Sequence, residues 1–218
     1  CSQFFIRPLF TEEYTEREVN AVNSEHQKNI MNDYRRLYRI PNLFAKEGHP
    51  ETKFATGNLE TLGNTSREEL IAFYEKYYSA NRMGLALLST HSLEEMEKLT
   101  KVYFSNIKNT NRSKNTYDPN FYEKKETLRL VQVEPVKDIR DLTLMFSLPG
   151  IRQLYKSKPG RQFGSILGYE GKGSLLSYLK KKGWASTLSA GAGSITNDYA
   201  SASIRIGLTE EGLLKYKD

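Results

Sequence analysis

The sequence has 218 residues, the length of one large domain or two small ones, and 38% of them are hydrophobic and 27% charged. This balance is typical of a globular chain with a sizeable core and excludes a disordered one. No apolar run approaches the roughly 18 residues that cross a bilayer, so we expect no membrane partner and favour the cytoplasm. The single cysteine, Cys1, excludes internal disulfides and a cysteine-rich zinc module. Because Cys1 stands in place of a start Met, we expect a piece of a longer protein.

The net charge of +6 is concentrated in residues 151–183, where Glu170 is the only acidic residue. The cations there are Arg152, Lys156, Lys158, Arg161, Lys172, Lys180, Lys181 and Lys182. Such a cluster is found in nucleic-acid-binding proteins, for which salt-sensitive binding is expected. The last three lysines, however, precede Gly183, and cations are also favourable at a helix C-terminus. We therefore favour a solvated helix end and expect no nucleic acid as a partner.

The first half of the chain predicts three helices and one strand. Residues 11–38 contain neither Gly nor Pro and begin with several glutamates, which indicates one long helix. Residues 66–78 and 92–107 each begin with a Ser that is followed three positions later by a Glu, the pattern of a capping box. The apolar run 83–90 predicts a buried strand.

The second half predicts a further layer of strands and helices after a polar linker at residues 109–125. Predicted strands are 127–133, 142–148, 184–190 and 200–208, and predicted helices are 154–167, interrupted at Pro159, 174–182 and 209–217. The order predicts an α+β fold made of two consecutive layered α/β-sheet domain pieces, residues 1–108 and 126–218.

The chain lacks the common catalytic motifs. Its three histidines, His26, His49 and His91, are far apart in the sequence, and neither His-Glu-x-x-His nor His-x-x-Glu-His occurs. A phosphate-binding loop, a Gly-x-Gly-x-x-Gly motif and a Gly-x-Ser-x-Gly elbow are also missing, which removes the usual support for a nucleotide-binding or serine-hydrolase function. We therefore expect no complete zinc site and no catalytic residue within this chain.

Two carboxylates on the long predicted helix are candidates for metal chemistry. Glu18 and Glu25 are seven residues apart, which places them two turns apart on one helix face. One carboxylate on such a face can ligate a metal while the other holds the site in place. On spacing alone, a solvated Glu-rich helix is the simpler explanation.

Several segments in order along the chain resemble the pitrilysin and insulin-degrading-enzyme family of zinc peptidases, in particular its insulin-degrading-enzyme branch. The segments are EREVNAVNSEHQKN (16–29), KFATGN (53–58), YYSAN (77–81), VKDIR (136–140), GYEGKGSLLS (168–177), KGW (182–184) and LTEEGLL (208–214). The resemblance implies a zinc-dependent metalloendopeptidase that hydrolyses peptides in an enclosed chamber. It also implies that Glu25 is the third zinc ligand and Glu18 the supporting carboxylate, with a His-x-x-Glu-His motif upstream.

The same resemblance implies that this chain is inactive without the remaining domains of the protein, which are expected partners together with peptide substrates. A homo-oligomer is left open. The alternative is a non-catalytic homologue that binds peptides or has a structural role. Retention of both Glu18 and Glu25 favours the enzyme.

A second set of residues is implied to bind the N-terminal segment of the substrate. The set comprises Gly168, Glu170, Leu188, Ala190 and Ala192. An acidic side chain can meet an ammonium group, and a strand can accept an extended peptide by edge pairing. Tyr169 departs from the family pattern, which usually has His at this position. The alternative is that the glycines only shape a helix junction and the strand is ordinary sheet.

Overall fold

The computed structural model describes residues 1–217. The chain forms two compact units. The first unit consists of Cys1–Asn29 and Phe54–Tyr117, and the second of Ile30–Lys53 together with the chain from Asp118 onward. These units are defined by contacts and do not test the predicted domains, so the linker expected at residues 109–125 stays a prediction.

The described residues contain helices throughout and strands only in the second unit. The helices are α1 (Gln3–Ile6), α2 (Glu12–Ile30), α3 (Asp33–Leu43), α4 (Leu59–Leu62), α5 (Arg67–Tyr77), α6 (Leu93–Phe104), α7 (Pro159–Leu167), α8 (Leu175–Lys181) and α9 (Glu210–Leu214). The strands are β1 (Asp141–Pro149), β2 (Ala185–Ser194) and β3 (Tyr199–Leu208). This mixture confirms the predicted α+β class.

The single long helix predicted for residues 11–38 is wrong, because the chain forms α2 and α3 instead. Asn32 has an extended backbone, and its side chain accepts a hydrogen bond from the backbone N–H of Arg35. Asn competes with helix continuation by capping a new helix, which explains the break. In α3, the carboxylate of Asp33 then accepts hydrogen bonds from the backbone N–H groups of Val136 and Lys137 at 2.8 and 2.9 Å.

The strands predicted at residues 83–90 and 127–133 are also wrong for the described structure, in which neither segment has secondary structure. Leu88 and Leu128 are fully exposed, at 102% and 99% of their surface. A strand is stabilised by hydrogen bonds to a neighbouring strand and by packing of one face. Neither segment pairs with another strand within residues 1–217, so apolar composition alone does not make it a strand.

Most of the remaining elements agree with the sequence. Ser66 and Ser92 form capping boxes at the starts of α5 and α6, as predicted. The predicted interruption at Pro159 is the start of α7, because Pro is well accommodated in the first turn of a helix. The strands β1, β2 and β3 contain or overlap their predicted ranges, whereas α9 is shorter than the helix predicted for 209–217.

The three strands form one antiparallel sheet in the order β1-β3-β2. Alternate residues of β3 are buried, which follows from the two-residue period of a strand. The buried core comprises Leu176, Ala185, Leu188, Ile204 and Ile206. Side chains of α7 and α8 pack against it, so these helices and the sheet together position the candidate peptide site.

Candidate functional site

Glu18 and Glu25 both lie on α2, and both are exposed. At about 100° per residue, seven residues bring the second carboxylate back to within roughly 20° of the first, so they share a face. The helix therefore places both carboxylates on one face, as their spacing in the sequence predicts. Neither side chain forms a hydrogen bond or an ion pair with the residues that the structure describes.

Helix α2 packs against the rest of its unit through the face next to the one that carries these carboxylates. The half-buried residues Val19, Val22 and His26 follow a helical spacing along that face. The ring of His26 meets the ring of Phe54 edge-on at 5.1 Å between centroids. Since His26 packs against an aromatic ring, and is about 100° around the helix from Glu25, it does not join Glu25 at a common point.

The side chain of Asn23 anchors α2 to α4. Its Oδ1 accepts a hydrogen bond from the backbone N–H of Leu59 at 3.2 Å. Asn23 lies two residues before Glu25, so this contact restrains the turn of α2 that carries the candidate ligand.

The described residues hold no group of three or more His, Cys, Asp or Glu side chains able to bind a metal ion. A catalytic zinc site takes three protein ligands and leaves one position for water. Glu25 fits such a site as one anionic oxygen ligand on a regular helix, and Glu18 fits as its neighbour on the same face. That Glu25 ligates zinc and Glu18 supports it stays a prediction.

The candidate peptide site is built from the end of α7 and the middle of β2. Gly168 ends α7, and a Cβ atom placed on it would lie 3.6 Å from the backbone N of Ala190. Leu188, Ala190 and Ala192 alternate along β2, which places them on one face of that strand. The structure therefore brings Gly168 next to Ala190, which shares its strand face with Leu188 and Ala192.

Two further glycines, which the sequence analysis did not single out, fix this arrangement. A Cβ on Gly160 would come within 2.5 Å of the backbone O of Ala192, and one on Gly164 within 2.9 Å of the backbone O of Ala190. Real Cβ atoms essentially never approach so closely, so the backbone of α7 rests directly on the backbone of β2. The spacing of four residues between these glycines and Gly168 is the sequence signal that could have identified this contact.

The predicted residues differ in what they can offer a ligand. The side chain of Leu188 is buried in the core at 6% exposure, so only its backbone is available. Ala190 and Ala192 are half-buried. Glu170 is exposed and forms no ion pair with the described part of the chain, so its carboxylate is free to meet a positively charged group.

The basic residues predicted to form a cluster are all exposed, and none forms an ion pair with a described residue. Lys182, at the end of α8, lies over the rings of Tyr178 and Trp184 at 5.8 and 5.7 Å from their centroids. These contacts are typical of a solvated helix end whose cations rest on aromatic rings. Absence of nucleic-acid binding stays a prediction.

Comparison with known proteins identifies the family. The sequence pattern described as "Peptidase M16 inactive domain" matches residues 64–218, more than half of the chain. The chain belongs to the M16 peptidase family. This confirms the resemblance to pitrilysin and insulin-degrading enzyme.

Two relatives of this M16 chain are named as enzymes. It is 40% identical over 224 residues to the insulin-degrading enzyme of Homo sapiens and 38% identical over 224 residues to the A-factor-processing enzyme of Saccharomyces cerevisiae. Each alignment covers 100% of this chain and 22% of the relative, so the chain spans about a fifth of their length.

The crystal structure of pitrilysin matches the fold of this M16 chain. The TM-score is 0.88 at 27% sequence identity, and the match covers 99% of this chain and 24% of pitrilysin. Among the residues that the structure describes, no helix combines the length and apolar character needed to cross a membrane.

Proposed function

We propose that the full-length protein is a zinc-dependent metalloendopeptidase that hydrolyses peptides, and that this chain supplies one zinc ligand and a site for the substrate's N-terminus. The observation that carries the proposal is the pair Glu18 and Glu25 on one face of a regular helix, in a chain whose M16 relatives include a protein named a zinc protease in Schizosaccharomyces pombe. The alternative is a non-catalytic homologue that binds peptides.

In this proposal Glu25 is the third protein ligand of zinc, and Glu18 supports it from a position two turns earlier in α2. A zinc ion held there would supply Lewis-acid chemistry, lowering the pKa of a water molecule and polarising the scissile carbonyl. The carboxylate of Glu25 contributes a negative charge, and the contacts of Asn23 and His26 hold its turn of helix in place. The other ligands and the general base belong to the longer protein.

The second unit holds the peptide N-terminus in this proposal. The exposed carboxylate of Glu170 meets the terminal ammonium, and the backbone of β2 pairs with the extended peptide. The close contact of α7 with β2 fixes the distance between Gly168 and Ala190, so the terminus is bound at a defined depth. Tethering one end of a peptide raises the local concentration of its scissile bond at the zinc site.

Residues 64–218, which match the inactive-domain pattern, include the peptide site but not Glu25. This supports different roles for two parts of the chain: one part binds substrate, and another binds metal. An enclosed chamber formed with the remaining domains, a cytoplasmic location and the absence of nucleic acid as a partner belong to the proposal as well. Whether the protein is a homo-oligomer is left open.

The test uses the full-length protein, a quenched fluorogenic peptide and a chelator. We expect chelator-sensitive cleavage that Glu25→Gln abolishes and Glu18→Gln weakens. The matched control is Glu16→Gln, an exposed carboxylate of α2 on the opposite face, which should keep wild-type activity. A folded wild type that binds the peptide without cleaving it would support the non-catalytic alternative instead.

A further inference from the structure

Both ring nitrogens of His49 are bound to backbone groups of the second unit. Nδ1 accepts a hydrogen bond from the backbone N–H of Glu51 at 3.0 Å, and Nε2 lies 3.0 Å from the backbone O of Asp118. Because an N–H group can only donate, Nδ1 is the acceptor and Nε2 carries the proton that the backbone O of Asp118 accepts. The ring is therefore neutral in this arrangement, and His49 is only 6% exposed.

His49 connects parts of the second unit that are far apart in the sequence. Asp118 begins the entry segment, residues 118–123, with which the chain returns to this unit. Within the entry segment, the ring of Phe121 lies 4.5 Å from the ring of His49 and stacks on the ring of Tyr199 in β3 at 3.9 Å between centroids. The His49 ring thus holds the entry segment on the side away from the sheet.

One cation and two carboxylates near His49 are paired with each other. The ammonium of Lys46 binds the carboxylates of Asp118 and Glu123 at 3.0 and 2.5 Å. The backbone N–H of Asn120 and this ammonium lower the pKa of Asp118, the ammonium lowers the pKa of Glu123, and the two carboxylates raise the pKa of Lys46. All three groups therefore keep their charges between about pH 5 and 8.

Helix α3 holds the short helical turn that His49 caps. The guanidinium of Arg39 donates to the backbone O of Thr52 at 3.2 Å, and the side-chain N of Asn42 donates to the carboxylate of Glu51 at 2.7 Å. A guanidinium keeps its charge throughout the pH range in which proteins fold. These contacts fix the turn, so the N–H of Glu51 stays directed at Nδ1 of His49.

Two tyrosines complete the titratable groups that the structure places around His49. Burial raises the pKa of Tyr122 to about 12 and also raises the pKa of Tyr199. Imidazole is the side chain that ordinarily gains a proton between about pH 5 and 8. His49 is therefore the group whose change of charge can alter these contacts near neutral pH.

Protonation of Nδ1 removes the lone pair that accepts the N–H of Glu51. Two N–H groups then face each other, and a buried donor left without an acceptor costs free energy. The ring has to turn to relieve this conflict. Since the same ring contacts Phe121 and the backbone O of Asp118, its movement weakens the attachment of the entry segment.

We propose that His49 is a pH-sensitive latch, which fastens the entry segment to residues 46–51 when its ring is neutral and releases it when the ring is protonated. The latch acts through contacts within the second unit. It requires neither a metal ion nor peptide cleavage, so its test is independent of the function proposed above.

The experiment is hydrogen–deuterium exchange of the full-length protein at about pH 7.5 and pH 5, with rates corrected for the intrinsic effect of pH. We expect the protection of residues 46–53 and 118–126 to fall about five- to a hundredfold at the lower pH, the range given by one buried donor without an acceptor. Helix α5, Arg67–Tyr77, is the internal reference and should change by less than about twofold.

Three variants separate the proton acceptor from the ring. His49→Asn keeps an oxygen that can cap the turn but cannot gain a proton, so protection should be the same at both pH values. His49→Phe keeps a ring beside Phe121 without an acceptor and should show low protection at both. His91→Asn, which replaces an exposed histidine of the first unit, is the matched control and should keep the wild-type response.

Unchanged protection in the wild type between the two pH values would overturn the latch. A fall that persists in His49→Asn, or one that His91→Asn abolishes, would also overturn it. Asp118→Asn keeps the backbone O that accepts the Nε2 proton and should retain the fall. Loss of the fall in this variant would assign the response to the carboxylate instead, and this comparison decides the matter even if His49→Asn does not fold.

Discussion

The two compact units differ in how they bury apolar side chains. Every buried apolar side chain that the structure describes lies in the second unit, whose core includes Leu176, Leu188 and Ile204. In the first unit, large apolar residues such as Leu88 and Leu93 are exposed. The candidate peptide site therefore stands on a scaffold with its own core, whereas the candidate metal ligand stands on a helix with few buried contacts.

This difference separates the two parts of the proposed function. The geometry of the peptide site follows from contacts within the second unit, in particular the direct backbone contact between α7 and β2. The position of Glu25 follows from a helix that is tied by Asn23 and His26 and is otherwise exposed. We therefore expect the peptide site to be preformed in this chain and the metal site to require further protein.

The largest expected effect tests the core. Leu176→Ala removes a side chain that is 1% exposed and should lower the free energy of unfolding by about 2–5 kcal/mol. Leu93→Ala in the first unit removes a side chain that is 77% exposed and should change it by less than about 0.5 kcal/mol. Denaturant unfolding measures both, and equal losses would show that the two units do not differ in this way.

A smaller effect tests the contact between α7 and β2. Gly164→Ala places a methyl group against the backbone O of Ala190 and should lower the free energy of unfolding by about 1–3 kcal/mol, as overpacking usually does. Gly193→Ala has open space and should be close to neutral. If thermal unfolding finds Gly164→Ala as stable as Gly193→Ala, α7 does not rest on β2.

The next test concerns a contact within the second unit, between Asp33 at the start of α3 and residues 136–137. The backbone N–H groups of Val136 and Lys137 lower the pKa of Asp33 from its ordinary value, because they bind the charged form. A lowered pKa in the folded state means that the group contributes stability above its unfolded pKa of about 3.9 and that this is lost as the pH falls through the folded pKa.

Asp33→Asn should therefore be less stable than the wild type at neutral pH and should show a smaller loss of stability below about pH 4. Unfolding curves between pH 2 and 7 measure this difference. A wild type and a variant with parallel pH profiles would show that Asp33 does not bind these N–H groups in solution.

Sequence reasoning succeeded where structure is determined by neighbouring residues. The capping boxes at Ser66 and Ser92 are local patterns, and both form as predicted. The break at Asn32 is also local, but it depends on a competition between capping and helix continuation that apolar spacing does not register. Residues 83–90 have the composition of a strand, and only a pairing partner, which is not local, decides whether they become one.

The candidate sites show the same limit. The spacing of Glu18 and Glu25 predicted a shared helix face, but a role in metal binding came from the family resemblance. The approach of Gly168 to Ala190 joins residues far apart in the sequence and needed the structure.

The most direct test of the proposed function is the zinc content of the purified full-length protein, measured by atomic absorption for the wild type, Glu25→Gln and Glu16→Gln. The account predicts one zinc ion per chain in the wild type and in Glu16→Gln, and a strongly reduced content in a folded Glu25→Gln. Equal zinc content in all three proteins, or none in a folded wild type, would contradict it.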